Sequence, residues 1–224
     1  MSWRWLAATL CVLLGGYLVI RMTSYDLAVA LVAAAALLAL GRSSGLSWAE
    51  LGLTAKSAPR GLAWALGSLL VVVAVYLVLV LTPLNVVLED SRFDDGWTHA
   101  LLQAFVIVPL GTVLWEEIGF RGVLWAQIRR KASPGRATAA SSLLFGLWHA
   151  APALRFAETN QAAAEAVDGN WLVIGTVAAT IAVTTVAGIL LCEVRRRSDS
   201  LLAPIGLHWA VNGVGVLAVA ASSM

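Results

Sequence analysis

Seven apolar stretches, separated by short polar connections, run along the chain. They are roughly Trp5–Ile20, Leu27–Leu40, Leu62–Leu81, His99–Ile128, Ala137–Pro152, Trp171–Leu191 and Leu201–Ala221. About 20 consecutive apolar residues make a helix that crosses a bilayer, so each stretch is predicted as a membrane span. The first two are short and suit a tilted hairpin. The first also has the basic residue and apolar centre of a signal peptide, but no clear small-x-small cleavage site precedes Asp26, and a retained anchor is expected. The fourth is too long for one straight span, and Pro109 is placed to kink it. The segment 41–61, with Trp48, Leu51 and Leu53, is predicted to carry a short interfacial helix, and 154–170 is the longest outer connection.

Composition sharpens the class. Of the 224 residues, 60% are apolar and 12% charged, where a soluble domain carries about 25% charged residues. The expected fold is all-α, a polytopic transmembrane helical bundle of about seven spans with no soluble domain and no internal repeat. A net charge of +2 says little about partners. The lipid bilayer is one, and no nucleic acid is expected. Cys11 and Cys192 lie far apart and form neither a disulfide framework nor a zinc spacing.

Charge sets the orientation. The N-terminus and the even-numbered loops hold Arg4; Arg42, Lys56 and Arg60; Arg129, Arg130, Lys131 and Arg136; and Arg195, Arg196 and Arg197. The odd-numbered loops hold Arg21, Arg92 and Arg155 among acidic residues: Asp26; Glu89, Asp90, Asp94 and Asp95; Glu158, Glu165 and Asp168. This alternation follows the positive-inside rule. It predicts a cytoplasmic N-terminus, an outer C-terminus for seven spans, and a bacterial-type cytoplasmic membrane.

Few strongly polar groups remain at membrane depth: Glu116, Glu117 and Arg121 in the fourth stretch, His149 in the fifth, and His208 and Asn212 in the seventh, with Gln103 a weaker candidate. Charged groups in hydrocarbon cost at least about 2.5 kcal/mol each, so they face the bundle interior and mark function. At 1.5 Å per residue, Glu116 lies roughly 20 Å from the basic residue Arg129, His149 as far from Arg136, and His208 roughly 14 Å from Asp199. Three helices thus bring polar groups to comparable depth, where they can share one site.

Glu117 and Arg121 are four apart on one helix face and can pair, which offsets the penalty of burying each charge. Glu116 is turned about 100° away. A carboxylate left without a cation in an apolar pocket is suited to take a proton from water. Glu117 and Arg121 are therefore expected to be a structural ion pair, and Glu116 to be chemistry. His208 and Asn212 again share a face. Two imidazoles, an amide and a carboxylate suit either a divalent metal or a metal-free arrangement that orients water and stabilises an oxyanion. Trp115, Trp148 and Trp209 beside the motifs are explained by packing.

Together, Glu116-Glu117-x-x-x-Arg121, Phe145-x-x-x-His149 and His208-x-x-x-Asn212 resemble the CAAX protease and bacteriocin-processing family, also called the Abi family, with Phe120 and Gly122 fitting as well. The motifs occupy just under half the chain and divide it into 1–95, without a recognised motif, and 96–224, the catalytic region. The resemblance implies an intramembrane endopeptidase acting on membrane-associated peptides or proteins. By it, Glu116 activates water, assisted by His149, and His208 and Asn212 complete the site. If a metal such as zinc takes part, its ligands would come from His149, His208, Asn212 and Glu116. No H-E-x-x-H motif is present. The site is expected to open towards the cytoplasm. The competing expectations are a protease-inactive relative in bacteriocin immunity or scaffolding, and a transporter, which the lack of a repeat disfavours.

Overall fold

The computed structural model describes residues 3–23, 26–82, 96–159 and 169–222, and among these every regular element is helical. Helices α1 (Trp3–Met22) and α2 (Asp26–Ser43) pair as a hairpin. A single-turn helix α3 (Trp48–Leu51) leads to α4 (Ala58–Leu81). The glutamate-bearing helix α5 runs unbroken over Trp97–Arg129. It is followed by α6 (Pro134–Trp148), α7 (Ala150–Thr159), α8 (Gly169–Ser198) and α9 (Leu202–Ser222).

Six of these helices, α1, α2, α4, α5, α8 and α9, are long and apolar enough to cross a membrane. The expected fifth span is different: α6 stops at Trp148 after 15 residues and α7 starts at Ala150. Pro152 accounts for the break. It has no N–H to donate, and its ring crowds the carbonyl four residues earlier, that of Trp148. His149 is thereby left at a helix end with φ −85° and ψ −2°.

The basic segments meet at one end of the bundle. Lys131 at the end of α5 lies 4.4 Å from the ring of Trp3. Arg130 grips Glu50 through two hydrogen bonds of 2.7 and 2.8 Å, and Arg195 donates to the Glu50 carbonyl at 2.9 Å. Arg60 faces Asp199 at 3.7 Å. The acidic residues Glu89, Asp90, Asp94, Asp95, Glu165 and Asp168, with Arg92, lie outside the described residues. Helix α3 answers the expectation of a short helix after α2. Ser47 and Glu50 close a capping box around it, with Leu51 buried and Trp48 exposed.

Arg130 holds the Glu50 carboxyl down at about 2, against an ordinary value of 4.5. A carboxylate with a lowered folded pKa stabilises the fold above its unfolded pKa and loses that effect as pH falls through the folded value. Stability supplied by this clip should therefore fade between pH 4.5 and about 2. The pair is solvent-screened, so the effect is below about 1 kcal/mol. Thermal midpoints in detergent across that window should drop more for wild type than for Glu50→Gln. Parallel curves would show that the clip carries no stability.

One core draws on both ends of the sequence: Leu13, Leu37 and Leu51 pack with Phe120, Val123, Phe145, Leu191 and Leu201. Leu62, Leu66, Leu70, Leu77 and Leu81 of α4 instead point outward, as lipid-facing residues do. Cys11 is exposed and Cys192 buried, both as free thiols. Helices α6 and α8 approach closely through small residues. A Cβ on Gly188 would lie 3.0 Å from the Cα of Ser142, and one on Gly146 would meet the Ile181 carbonyl at 2.7 Å.

Helix α5 is wound as a π-helix over Gln103–Val113 and Ile118–Leu124, with one α turn, Leu114–Glu117, between. Helix α9 does the same over Ala210–Val214. In π winding the N–H of residue 109 would bond to the carbonyl of residue 104. Residue 109 is proline, so that carbonyl lacks its partner. The indole N–H of Trp209 supplies one at 2.7 Å and ties α9 to α5. Gly213 makes room for the bond: a Cβ there would stand 2.7 Å from Trp209 Nε1 and 3.1 Å from the Ala104 oxygen. Gly213→Ala should cost about 1–3 kcal/mol through overpacking. Gly175→Ala, where a methyl meets nothing within 4 Å, should cost little. Thermal midpoints of the two variants in detergent check this, and equal midpoints would remove the constraint at Gly213.

Candidate active site

The α turn between the two π stretches carries Glu116 and Glu117, and both are buried. Arg121, one turn on, has no solvent exposure. Its Nη1 donates to Glu117 Oε1 at 2.8 Å, so the expected pair forms. The guanidinium also lies over the ring of Phe145, with Cζ 3.9 Å from the centroid. Phe145 thus stacks under the cation that its motif partner on α5 supplies.

His208 joins this pair. Its Nδ1 is 2.8 Å from the same Glu117 Oε1. A carboxylate oxygen only accepts from a ring N–H, so Nδ1 carries the proton and Nε2 is left free to act. Glu117 therefore does more than the ion pair with Arg121: it also orients an imidazole from α9. Spacing along α5 revealed the first link. The second crosses 91 residues of sequence and has no spacing signal.

His149 is held differently. Its Nδ1 is 2.8 Å from the Phe145 carbonyl. A carbonyl accepts, so Nδ1 again donates and Nε2 again carries the lone pair. The rings of His149 and His208 flank Phe145, with centroids 4.6 and 5.8 Å from it.

Glu116, unlike Glu117, is not ion-paired with Arg121 among the described residues. Its Oε1 accepts the indole N–H of Trp148 at 2.9 Å. Trp148 is the residue that reading the sequence as packing passed over; its place directly before His149 was the available signal. Glu116 Oε2 is buried with no partner among the described residues, as are Glu117 Oε2 and Arg121 Nε and Nη2. Buried polar atoms of this kind are where water or a polar ligand group binds. Asn212 is half-buried on the π turn of α9, and among the described residues it is not hydrogen-bonded to Glu116, Glu117, His149 or His208. Gln103 makes a 3.3 Å contact with His99 Nε2, apart from this network.

Among the described residues no group of three His, Cys, Asp or Glu side chains is arranged to hold a metal ion. Glu117, which was not expected as a ligand, occupies His208 Nδ1, while Glu116 is engaged by an indole. These bonds engage His208 Nδ1, His149 Nδ1 and Glu116 Oε1 and leave both Nε2 atoms and Glu116 Oε2 open among the described residues.

Residues 97–214 match the family model of the type II CAAX prenyl endopeptidase Rce1-like proteins. That span is more than half of the chain and includes every motif residue described above. The chain belongs to this family. No curated protein and no solved structure matches it. Membership agrees with the six apolar helices: the family is one of CAAX endopeptidases, and this member is an integral membrane protein. The N-terminal helices α1 and α2 lie outside the matched residues yet share its core.

Proposed function

We propose that this member is an intramembrane endopeptidase that hydrolyses peptide bonds of membrane-associated peptides or proteins with water activated by Glu116. The observation that carries this reading is the Glu116 carboxylate. One oxygen is anchored by Trp148, and the other is buried and unpartnered among the described residues. Such an oxygen can accept a proton from water as it attacks a carbonyl. His149, with Nε2 free, is suited to orient that water or return its proton to the leaving amine. The Asn212 amide is suited to donate to the developing oxyanion, as is His208 Nε2 when the ring beside Glu117 is the doubly protonated imidazolium. Glu117 and Arg121 fix the orientation of His208. On the positive-inside rule, the basic end of the bundle faces the cytoplasm, and the site would open to that side.

The test is cleavage in proteoliposomes. Purified protein is incubated with membrane-tethered peptides of varied sequence, in H₂¹⁸O, and products are mapped by mass spectrometry. A new C-terminus carrying one ¹⁸O is expected. Well-folded protein that cleaves nothing across the set would favour an immunity or scaffolding role, and saturable ion flux in the same vesicles would favour transport.

A further inference from the structure

Trp148 is gripped on several sides. Its ring centroid lies 4.8 Å from that of Tyr17, 5.2 Å from Trp115 and 5.6 Å from Phe120. These rings come from α1 and from both sides of the glutamate turn on α5. Trp115 is itself fixed, since Gly16 of α1 and Ala33 of α2 leave just enough room for it: a Cβ on Gly16 would be 3.3 Å from both. An indole has two side-chain torsions, and packing on this many faces fixes both. The fixed indole aims its N–H at Glu116 Oε1, 2.9 Å away.

A carboxylate has two equivalent oxygens and a torsion that interchanges them. For a base, that freedom is a loss, because the reactive oxygen must be held within a fraction of an ångström of its water. A hydrogen bond to one oxygen removes the freedom and leaves the other defined. Here the bonded oxygen is Oε1 and the one left is Oε2, which is buried.

We propose that Trp148 is a positioning residue for Glu116, its N–H selecting Oε2 as the oxygen that meets the water, and that Tyr17 of α1 acts through Trp148 by holding the indole. This rests on Glu116 being the base. It also makes the N-terminal hairpin, outside the family-matched residues, part of the active-site support.

The test replaces Trp148 with β-(3-benzothienyl)alanine, which keeps the fused ring and puts a sulfur that cannot donate in place of the N–H. Trp148→Phe is the genetically simpler companion. In proteoliposomes with a cleaved peptide, kcat should fall at least about tenfold, with KM within about twofold and folded yield unchanged. Tyr17→Ala should lower kcat in the same direction, and its effect should largely vanish when the benzothienyl residue is already present, because both act on one bond. Unchanged kcat in the benzothienyl protein overturns the positioning role. A full, additive Tyr17→Ala effect overturns the chain from Tyr17 through Trp148. Glu116→Gln is run alongside. If it keeps full turnover, the underlying assignment of the base fails. If it abolishes turnover while the benzothienyl protein is unaffected, the failure belongs to the positioning proposal alone.

Discussion

Glu116→Gln should fold to wild-type yield and lose at least about 10²-fold in turnover. The amide has the shape of the carboxyl, and its oxygen can still accept the Trp148 N–H that stands 2.9 Å from Oε1. Helix α5 meets no new volume and no new charge. What disappears is the capacity to take a proton. General acid–base groups contribute about 10²- to 10⁴-fold, or about 2.7 to 5.4 kcal/mol of barrier. Rates in proteoliposomes, with yield and thermal midpoint measured on the same preparation, check both halves. Wild-type turnover in this variant would remove Glu116 from the reaction.

The opposite split is expected one helical turn away. Arg121→Ala should sharply lower folded yield, because the guanidinium is fully buried and lies on the Phe145 ring. Its loss leaves the Glu117 carboxylate in the core with His208 as its hydrogen-bond partner among the described residues. Breaking a buried pair from one side costs about 3–5 kcal/mol, a large part of the 5–15 kcal/mol that holds a typical domain together. Glu117→Gln should also lower yield by stranding the arginine. Unlike Arg121→Ala, it removes the charge that orients His208, so whatever protein survives should also turn over more slowly. Removing both charges, as Glu117→Gln with Arg121→Met, should recover part of the yield, since no unpaired ion remains. Size-exclusion profiles and midpoints in detergent measure this. An Arg121→Ala protein with wild-type yield and midpoint would show that the pair is not structural.

Some of this was legible in the residues and some was not. The bundle was visible because bilayer-spanning helices need uninterrupted apolar runs, and Leu62–Leu81 could hardly be anything else. The break at His149 was not, although Pro152 was in view. Hydropathy averages over a window, whereas a proline acts on one carbonyl. The pairing of Glu117 with Arg121 was legible because both sit on one helix, where four residues fix the face. The bonds from His208 to Glu117 and from Trp148 to Glu116 join different helices, and nothing in a single helix's spacing says which neighbour it turns towards. Trp148 looked like packing, and its rings do pack; the polar edge of the indole carries the additional meaning.

The wide turns of α5 bear on how relatives should be aligned. The stretch Gln103–Val113 is wound in π turns, each holding roughly one residue more than an α turn. Deleting one residue there would leave the apolar profile of the span untouched. With the winding otherwise kept, it would nonetheless rotate everything after it by roughly a quarter turn relative to what comes before. The glutamates at 116 and 117 would exchange directions with their neighbours, and the motif would survive in the text of the gene while being lost in space. Length between residues 103 and 116 is therefore a coordinate of this site, as informative as the identity of any residue in it.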